Sequence, residues 1–170
     1  MMPRWACAFL RNSLRPKESS ADNSKYPSRF YLTRRKVTHR AVTNNDEVIE
    51  LLEKLGFAIV AAEDYSLPEQ AVLFSSARMI VSVHGAGLSN LVFCEPGTRV
   101  IEIFHPEAIN PVYWSLSQQA DLSYACLRGE EAVHDDAMPV NARNITVSVQ
   151  ALAQALERAT AANPVTSQRA

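Results

Sequence analysis

The sequence predicts an α/β fold, a parallel sheet with helices on both faces, and three observations carry that prediction. Short β-prone runs alternate with helical periodicity from Arg29 to Thr160, which argues for parallel strands joined by helical crossovers. The run Met79-Ile80-Val81-Ser82-Val83 is apolar almost throughout, as in a strand buried on both faces. It feeds directly into His84-Gly85-Ala86-Gly87 and then a helix-compatible segment. Glycines at such a turn let the backbone approach a ligand, and the amides of the helix start favour an anion.

The elements follow in order. Residues 11–28 are polar, with Pro16, Ser19, Ser20 and Pro27, and read as a linker or mobile arm. Residues 1–28 are therefore set apart as an N-terminal arm, 29–162 as the domain and 163–170 as a tail. Phe30-Tyr31-Leu32-Thr33 is β-prone. Asn44 lies three before Glu47, a capping-box spacing, and Val48, Ile49, Leu51, Leu52 and Leu55 continue at helical period. Gly56 is the stop signal. Phe57–Val60 reads as a strand. Ser66-x-x-Glu69 repeats the capping signature, with Pro68 in the first turn, for a helix to about Ala77. After the glycine turn come a short helix through Phe93, a turn at Pro96-Gly97 and a strand over 99–104. A helix from Asn110 to about Ala120, a strand at 124–127, a charged loop over 128–143 and a helix over 148–160 complete the chain.

Bulk composition narrows the function classes. The chain has 170 residues, 47% hydrophobic and 21% charged, enough for one soluble domain with a core. A net charge of -1 gives no global basic field for nucleic acid. No run of 18 apolar residues is present, so no membrane span is expected. Three widely spaced cysteines without a C-x-x-C pair point to a reducing compartment, the cytoplasm. Cys94, inside Leu-Val-Phe-Cys, reads as a small core residue. His39, His84, His105 and His134 lack metal-ligand spacing, and no D-x-D triplet is present, so no metal site is expected.

Ligands of parallel α/β sheets bind outside the C-terminal strand ends. Arg34, His84 and Glu102 fall there. His84-Gly85-Ala86-Gly87 reads as a phosphate cradle, or as a tight turn with His84 satisfied by backbone. An esterase oxyanion loop needs a G-x-S-x-G elbow, which is absent. The dinucleotide fingerprint of a Rossmann-like oxidoreductase lacks its third glycine, since Asn90 stands there. Arg34-Arg35 forks onto a diphosphate or is surface charge; the basic cluster continues to Lys36, His39 and Arg40. Glu102, in an apolar strand, accepts from ribose hydroxyls or pairs with an arginine such as Arg99 or Arg34. Asn90 caps the helix or reaches a ligand. A side chain at Gly85 or Gly87 is expected to abolish binding.

Seven blocks then stand in a fixed order: Thr33-Arg34-Arg35, Asn44-Asn45-Asp46-Glu47-Val48, Leu52-Glu53-Lys54-Leu55-Gly56-Phe57, Ser66-Leu67-x-Glu69-Gln70, Phe74-Ser75-Ser76-Ala77, His84-Gly85-Ala86-Gly87-Leu88-Ser89-Asn90 and Pro96-Gly97-Thr98-x-Val100-Ile101-Glu102. Together they resemble the C-terminal part of the glycosyltransferase family 61 catalytic domain, over roughly residues 29–127. That family includes bacterial capsular-polysaccharide-type enzymes, plant xylan-decorating enzymes and animal O-linked N-acetylglucosaminyltransferases. The resemblance implies a Rossmann-like sheet standing as the C-terminal lobe of a GT-B glycosyltransferase. It implies inverting, metal-independent transfer from a nucleotide sugar, with UDP the expected nucleotide, to a glycan or protein acceptor, and no cofactor. It places Arg34 and His84 in catalysis, at the leaving diphosphate. It places Arg35, the amides of Gly85, Ala86, Gly87 and Leu88, Asn90, and Glu102 around the nucleotide. Family members carry an N-terminal lobe before the Thr-Arg-Arg block, whereas only 28 residues precede Arg29 here. The expectation is a lobe completed by a separate N-terminal partner or by a homodimer. The other reading is a sugar-nucleotide-binding module or remnant that performs no transfer.

Overall fold

Five strands lie side by side, all parallel, in a computed structural model that describes residues 3–14, 25–34, 40–132 and 138–161. They are β1 (Arg29–Thr33), β2 (Ala58–Ala61), β3 (Met79–Val83), β4 (Arg99–Phe104) and β5 (Ser123–Arg128), in the order β2-β1-β3-β4-β5. The Rossmann-like α/β sheet expected from the alternation is thus present. Every residue of β3 is buried, as its unbroken apolar run requires.

Period-2 geometry divides the strand residues between two cores. Phe30, Leu32, Ile80 and Val100 face one side. There they meet α1 (Arg4–Leu14), α3 (Leu67–Ser76), a 3-10 segment (Ala86–Phe93) and α4 (Val112–Gln119). Tyr31, Met79, Val81, Val83, Ile101 and Ile103 face the other side, against α2 (Asn45–Lys54) and α5 (Val149–Ala161). A small antiparallel ladder of β6 (Glu130–Glu131) and β7 (Ile145–Thr146) closes the C-terminal segment.

Local signals act as their chemistry dictates at most boundaries. Ser66 and Glu69 form the full capping box, and Ser66 Oγ lies 2.6 Å from Glu69 Oε2. At the end of α2 the Gly56 amide bonds to Glu53 and the Phe57 amide to Leu52, a Schellman closure that needs the left-handed φ of +78° at Gly56.

Two local expectations are corrected. Asn44 does not cap α2. Its side chain instead takes both backbone groups of Val147, accepting from the amide at 2.9 Å and donating to the carbonyl at 2.8 Å. Part of the polar arm is helix: α1 buries Cys7, and Arg4 and Arg11 bond to Asp121 and the Val92 carbonyl. The short helix expected after the glycine turn is present as a 3-10 segment, in which Leu88, Leu91 and Cys94 recur every three residues and all three are fully buried.

The clamp by Asn44 joins the loop after β1 to the C-terminal segment across 103 residues. Asn44→Ala should lower stability by about 1–3 kcal/mol, because two backbone groups lose their partner. Urea unfolding checks this, and a midpoint equal to wild type would show that the clamp carries no energy.

Candidate functional site

The sheet order reverses between β1 and β3, since the chain runs from β1 outward to β2 and then returns to β3. A crevice opens at the C-terminal edge of such a reversal. Arg34 follows β1 and His84 follows β3, so the two residues expected to act together stand on either side of it. The guanidinium of Arg34 lies 3.6 Å from where a Cβ on Gly85 would stand. A cleft of about 340 Å³ runs between them, lined by Thr33, Arg34, Glu63, Ser82 and Gly85–Gly87.

Charge at this edge is unbalanced. Arg34 is half-buried, and its Nη1 is buried without a hydrogen-bond partner. Burial and then the neighbouring charge of Arg40 lower the guanidinium's proton affinity, with Glu63 opposing them. Guanidinium nevertheless stays charged in proteins. The first amides of the 3-10 segment, from Ala86, have no preceding carbonyl within it to bond. The Leu88 amide is committed to the Gly85 carbonyl at 3.0 Å, and the Leu88 side chain is core. The Leu88 amide is thus closed within the turn.

The two glycines serve different needs. Gly85 is extended, and a Cβ there meets Arg34 at ordinary contact distance. A Cβ on Gly87 would come 2.9 Å from Leu32 Cδ2, inside the core. A side chain at Gly87 would thus oblige the Leu32 methyl to shift, whereas one at Gly85 would extend along the cleft beside Arg34.

Behind the turn sits a buried polar relay. Glu102 lies in the middle of β4, opposite Ser82, and is fully buried. One carboxylate oxygen lies 2.5 Å from His84 Nδ1, and the other accepts from the Tyr124 hydroxyl at 2.5 Å. Burial, and then the hydrogen bond to Glu102, push the Tyr124 phenol well up, which keeps it a donor. His84 also stacks on Phe104 at 5.2 Å and tilts against Tyr113 at 5.3 Å. Its Nδ1 occupied, the ring has Nε2 left for chemistry.

Arg34, His84 and the glycine turn thus converge on one edge. Glu102 stands behind His84 as its anchor, with His84 and Tyr124 on its oxygens. Asn90 does not cap, since it lies inside the 3-10 segment and donates to Gln70 Oε1 at 2.7 Å. Arg35 lies outside the described residues, as do Lys36 and His39. Tyr124 was not legible as a site residue. It is the diagonal neighbour of Glu102, through the pairing of Val100 with Tyr124 and of Glu102 with Cys126. Among the described residues no group of three or more His, Cys, Asp or Glu side chains gathers as metal ligands, and no helix is long and apolar enough to cross a membrane.

Fold and site define a doubly wound α/β domain with a cationic crevice at its topological switch point. The chain belongs to the glycosyltransferase 61 family, whose model matches residues 1–101. The match takes in the N-terminal segment and stops at Ile101, so it begins earlier and ends sooner than the 29–127 read from the motif blocks. The beta-1,2-xylosyltransferase XYXT1 of Oryza sativa subsp. japonica is 37% identical over 101 residues, 58% of this chain and 21% of that protein. The protein O-linked-mannose beta-1,4-N-acetylglucosaminyltransferase 2 of Takifugu rubripes is 31% identical over 97 residues, 55% of this chain and 16% of that protein. The chain therefore spans about a fifth or less of the length of these relatives.

Gly87→Ala should cost about 1–3 kcal/mol by overpacking Leu32. Combining it with Leu32→Ala should recover part of that loss relative to Leu32→Ala alone. Thermal unfolding of the two single variants and the double checks this, and strict additivity would place the strain elsewhere.

Proposed function

We propose that this chain holds a nucleotide sugar, UDP-linked, at the C-terminal edge of its sheet and acts as the donor-binding lobe of a GT-B glycosyltransferase. The observation that carries the reading is the buried, unpaired Nη1 of Arg34, set beside the glycine turn that opens the 3-10 segment. A diphosphate satisfies both, since guanidinium forks onto paired oxygens and the amides supply further donors. Membership of the glycosyltransferase 61 family supports the same assignment.

In the transfer itself an acceptor hydroxyl of a glycan or protein attacks the anomeric carbon, with inversion. The bond from that carbon to the diphosphate oxygen breaks, and negative charge grows on the leaving group. Arg34 neutralises that charge and the amides of Gly85 to Gly87 solvate it, without a metal ion. Donors fixed in place before the reaction are an effective source of transition-state stabilisation. Glu102 holds His84 by Nδ1, which leaves Nε2 as the ring nitrogen available for a hydrogen bond at this sheet edge. Activation of the acceptor belongs to groups outside this sheet edge, in an N-terminal lobe.

Calorimetry with UDP, ADP and NAD, in EDTA, tests the reading. UDP should bind selectively and without added metal, and an NAD preference would favour an oxidoreductase. Arg34→Ala should weaken UDP by roughly 10–100-fold, the loss of a charge-assisted contact. Gly85→Val should keep wild-type stability and lose UDP, because its side chain fills the cleft. Equal UDP affinity in wild type and Arg34→Ala would sink the assignment. Donor hydrolysis or transfer by the chain separates an enzyme from a module that only binds.

A further inference from the structure

The cleft beside Arg34 has a further wall of opposite charge. Strand β2 pairs with β1 through Ala61 and Thr33, so the chain leaves both strands at the same level. Arg34 follows β1 directly, and Glu63 lies two residues past β2, in a 3-10 turn over Ala62–Asp64. Both line the same cleft of about 340 Å³. Burial and then Arg40 weaken the hold of Arg34 on its proton, and the charge of Glu63 strengthens it. Arg34 Nη1 nevertheless stays buried without a partner, and Glu63 is exposed.

A cleft with a cation on one wall and an acid on another sorts the parts of its ligand. Phosphate oxygens gather at the guanidinium and the glycine turn, and a carboxylate turns them away. A group that leads from the diphosphate to Glu63 must therefore donate hydrogen bonds, because an ionised carboxylate only accepts. Sugar hydroxyls do this. Leu32, Ala62, Val83 and Ala86 add apolar surface to the lining. Apolar walls with a few placed polar groups suit the C–H faces of a sugar ring and fix which way its hydroxyls point.

We propose that Glu63 selects the sugar of the donor: its carboxylate accepts from the hydroxyls of a neutral sugar and repels a sugar that carries a carboxylate of its own. The proposal rests on the reading that the diphosphate lies at Arg34. It narrows the donor to nucleotides linked to an uncharged sugar. Selection then works by repulsion of the wrong sugar as well as by attraction of the right one.

Calorimetry on the full chain with UDP, UDP-glucose and UDP-glucuronate tests it, since the two sugars differ only at carbon 6. Wild type should bind UDP-glucose about 10-fold tighter than UDP-glucuronate, a moderate like-charge penalty. Glu63→Gln keeps the size and an acceptor oxygen and removes the charge. It should close most of that gap by raising the affinity for UDP-glucuronate. Glu63→Lys should reverse the preference. The ratio of the two affinities is the readout, because loss of an anion favours the diphosphate of both donors alike. Both variants should unfold at the wild-type temperature, as Glu63 is exposed. A ratio that stays at its wild-type value in Glu63→Gln and Glu63→Lys would overturn the proposal by placing the selection elsewhere. Wild-type chain that binds UDP and holds the two sugars equally would overturn it too, and would leave the diphosphate reading standing. Wild-type chain that binds none of the three ligands would remove the diphosphate reading and this proposal with it.

Discussion

Strand β1 is hydrogen-bonded on both edges, to β2 and to β3, and the chain leaves it toward β2 before returning on the other side. This one pairing sets the geometry of the site. It brings Leu32 opposite Ser82, so that Arg34 and His84 emerge side by side at the same sheet edge. It also presses Leu32 against the start of the 3-10 segment, where a Cβ at position 87 would come 2.9 Å from the Leu32 Cδ2 methyl. The tight spacing at Gly87 is therefore set by its contact with Leu32, and the open backbone at Gly85 is left to face the cleft. Sheet register, core packing and the position of the cationic crevice all follow from that contact.

The second constraint is electrostatic. A carboxylate with no exposure is costly unless donors satisfy it. Glu102 meets two, from the strands on either side: His84 after the end of β3 and Tyr124 near the start of β5. The relay fixes the plane and one nitrogen of the His84 ring, and Phe104 and Tyr113 hold its faces. Positioning of this kind lets a side chain meet a ligand without paying for reorganisation on arrival. On either flank stand the two donors that the chain itself leaves open, Arg34 Nη1 and His105 Nε2. The crevice is thus satisfied around Glu102 and left open at these two buried donors.

Much of this was legible in the residues. The apolar run at 79–83, the Ser66 capping box and the Gly56 stop are local signals, and local physics decides them. The placement of Arg34 and His84 together follows once the strands are taken as parallel. Where long-range partners compete, the local signal loses. Asn44 has the spacing of a cap, but the backbone of Val147 occupies its side chain. In sequence Glu102 reads as an arginine partner or a ribose contact, and its oxygens instead meet a histidine and a tyrosine. Tyr124 carries no mark in sequence, because its role depends on the β4–β5 register. His105 stood in the sequence only as one of four histidines without ligand spacing; its open nitrogen is visible only when the Glu107 amide is seen on the other side of the ring.

The central claim is that the crevice at the β1–β3 switch point is where the chain meets a nucleoside diphosphate. Amide and arginine side-chain NMR of the isotope-labelled chain during a UDP titration tests it most directly, residue by residue. The account predicts saturable shifts at Gly85, Ala86 and Gly87 and at Arg34 Nε. The groove between α2 and α5, lined by Leu51, Leu55 and Leu156 at the opposite end of the sheet, should stay silent. Shifts confined to that groove, or no saturable shift at the glycine turn, would contradict it.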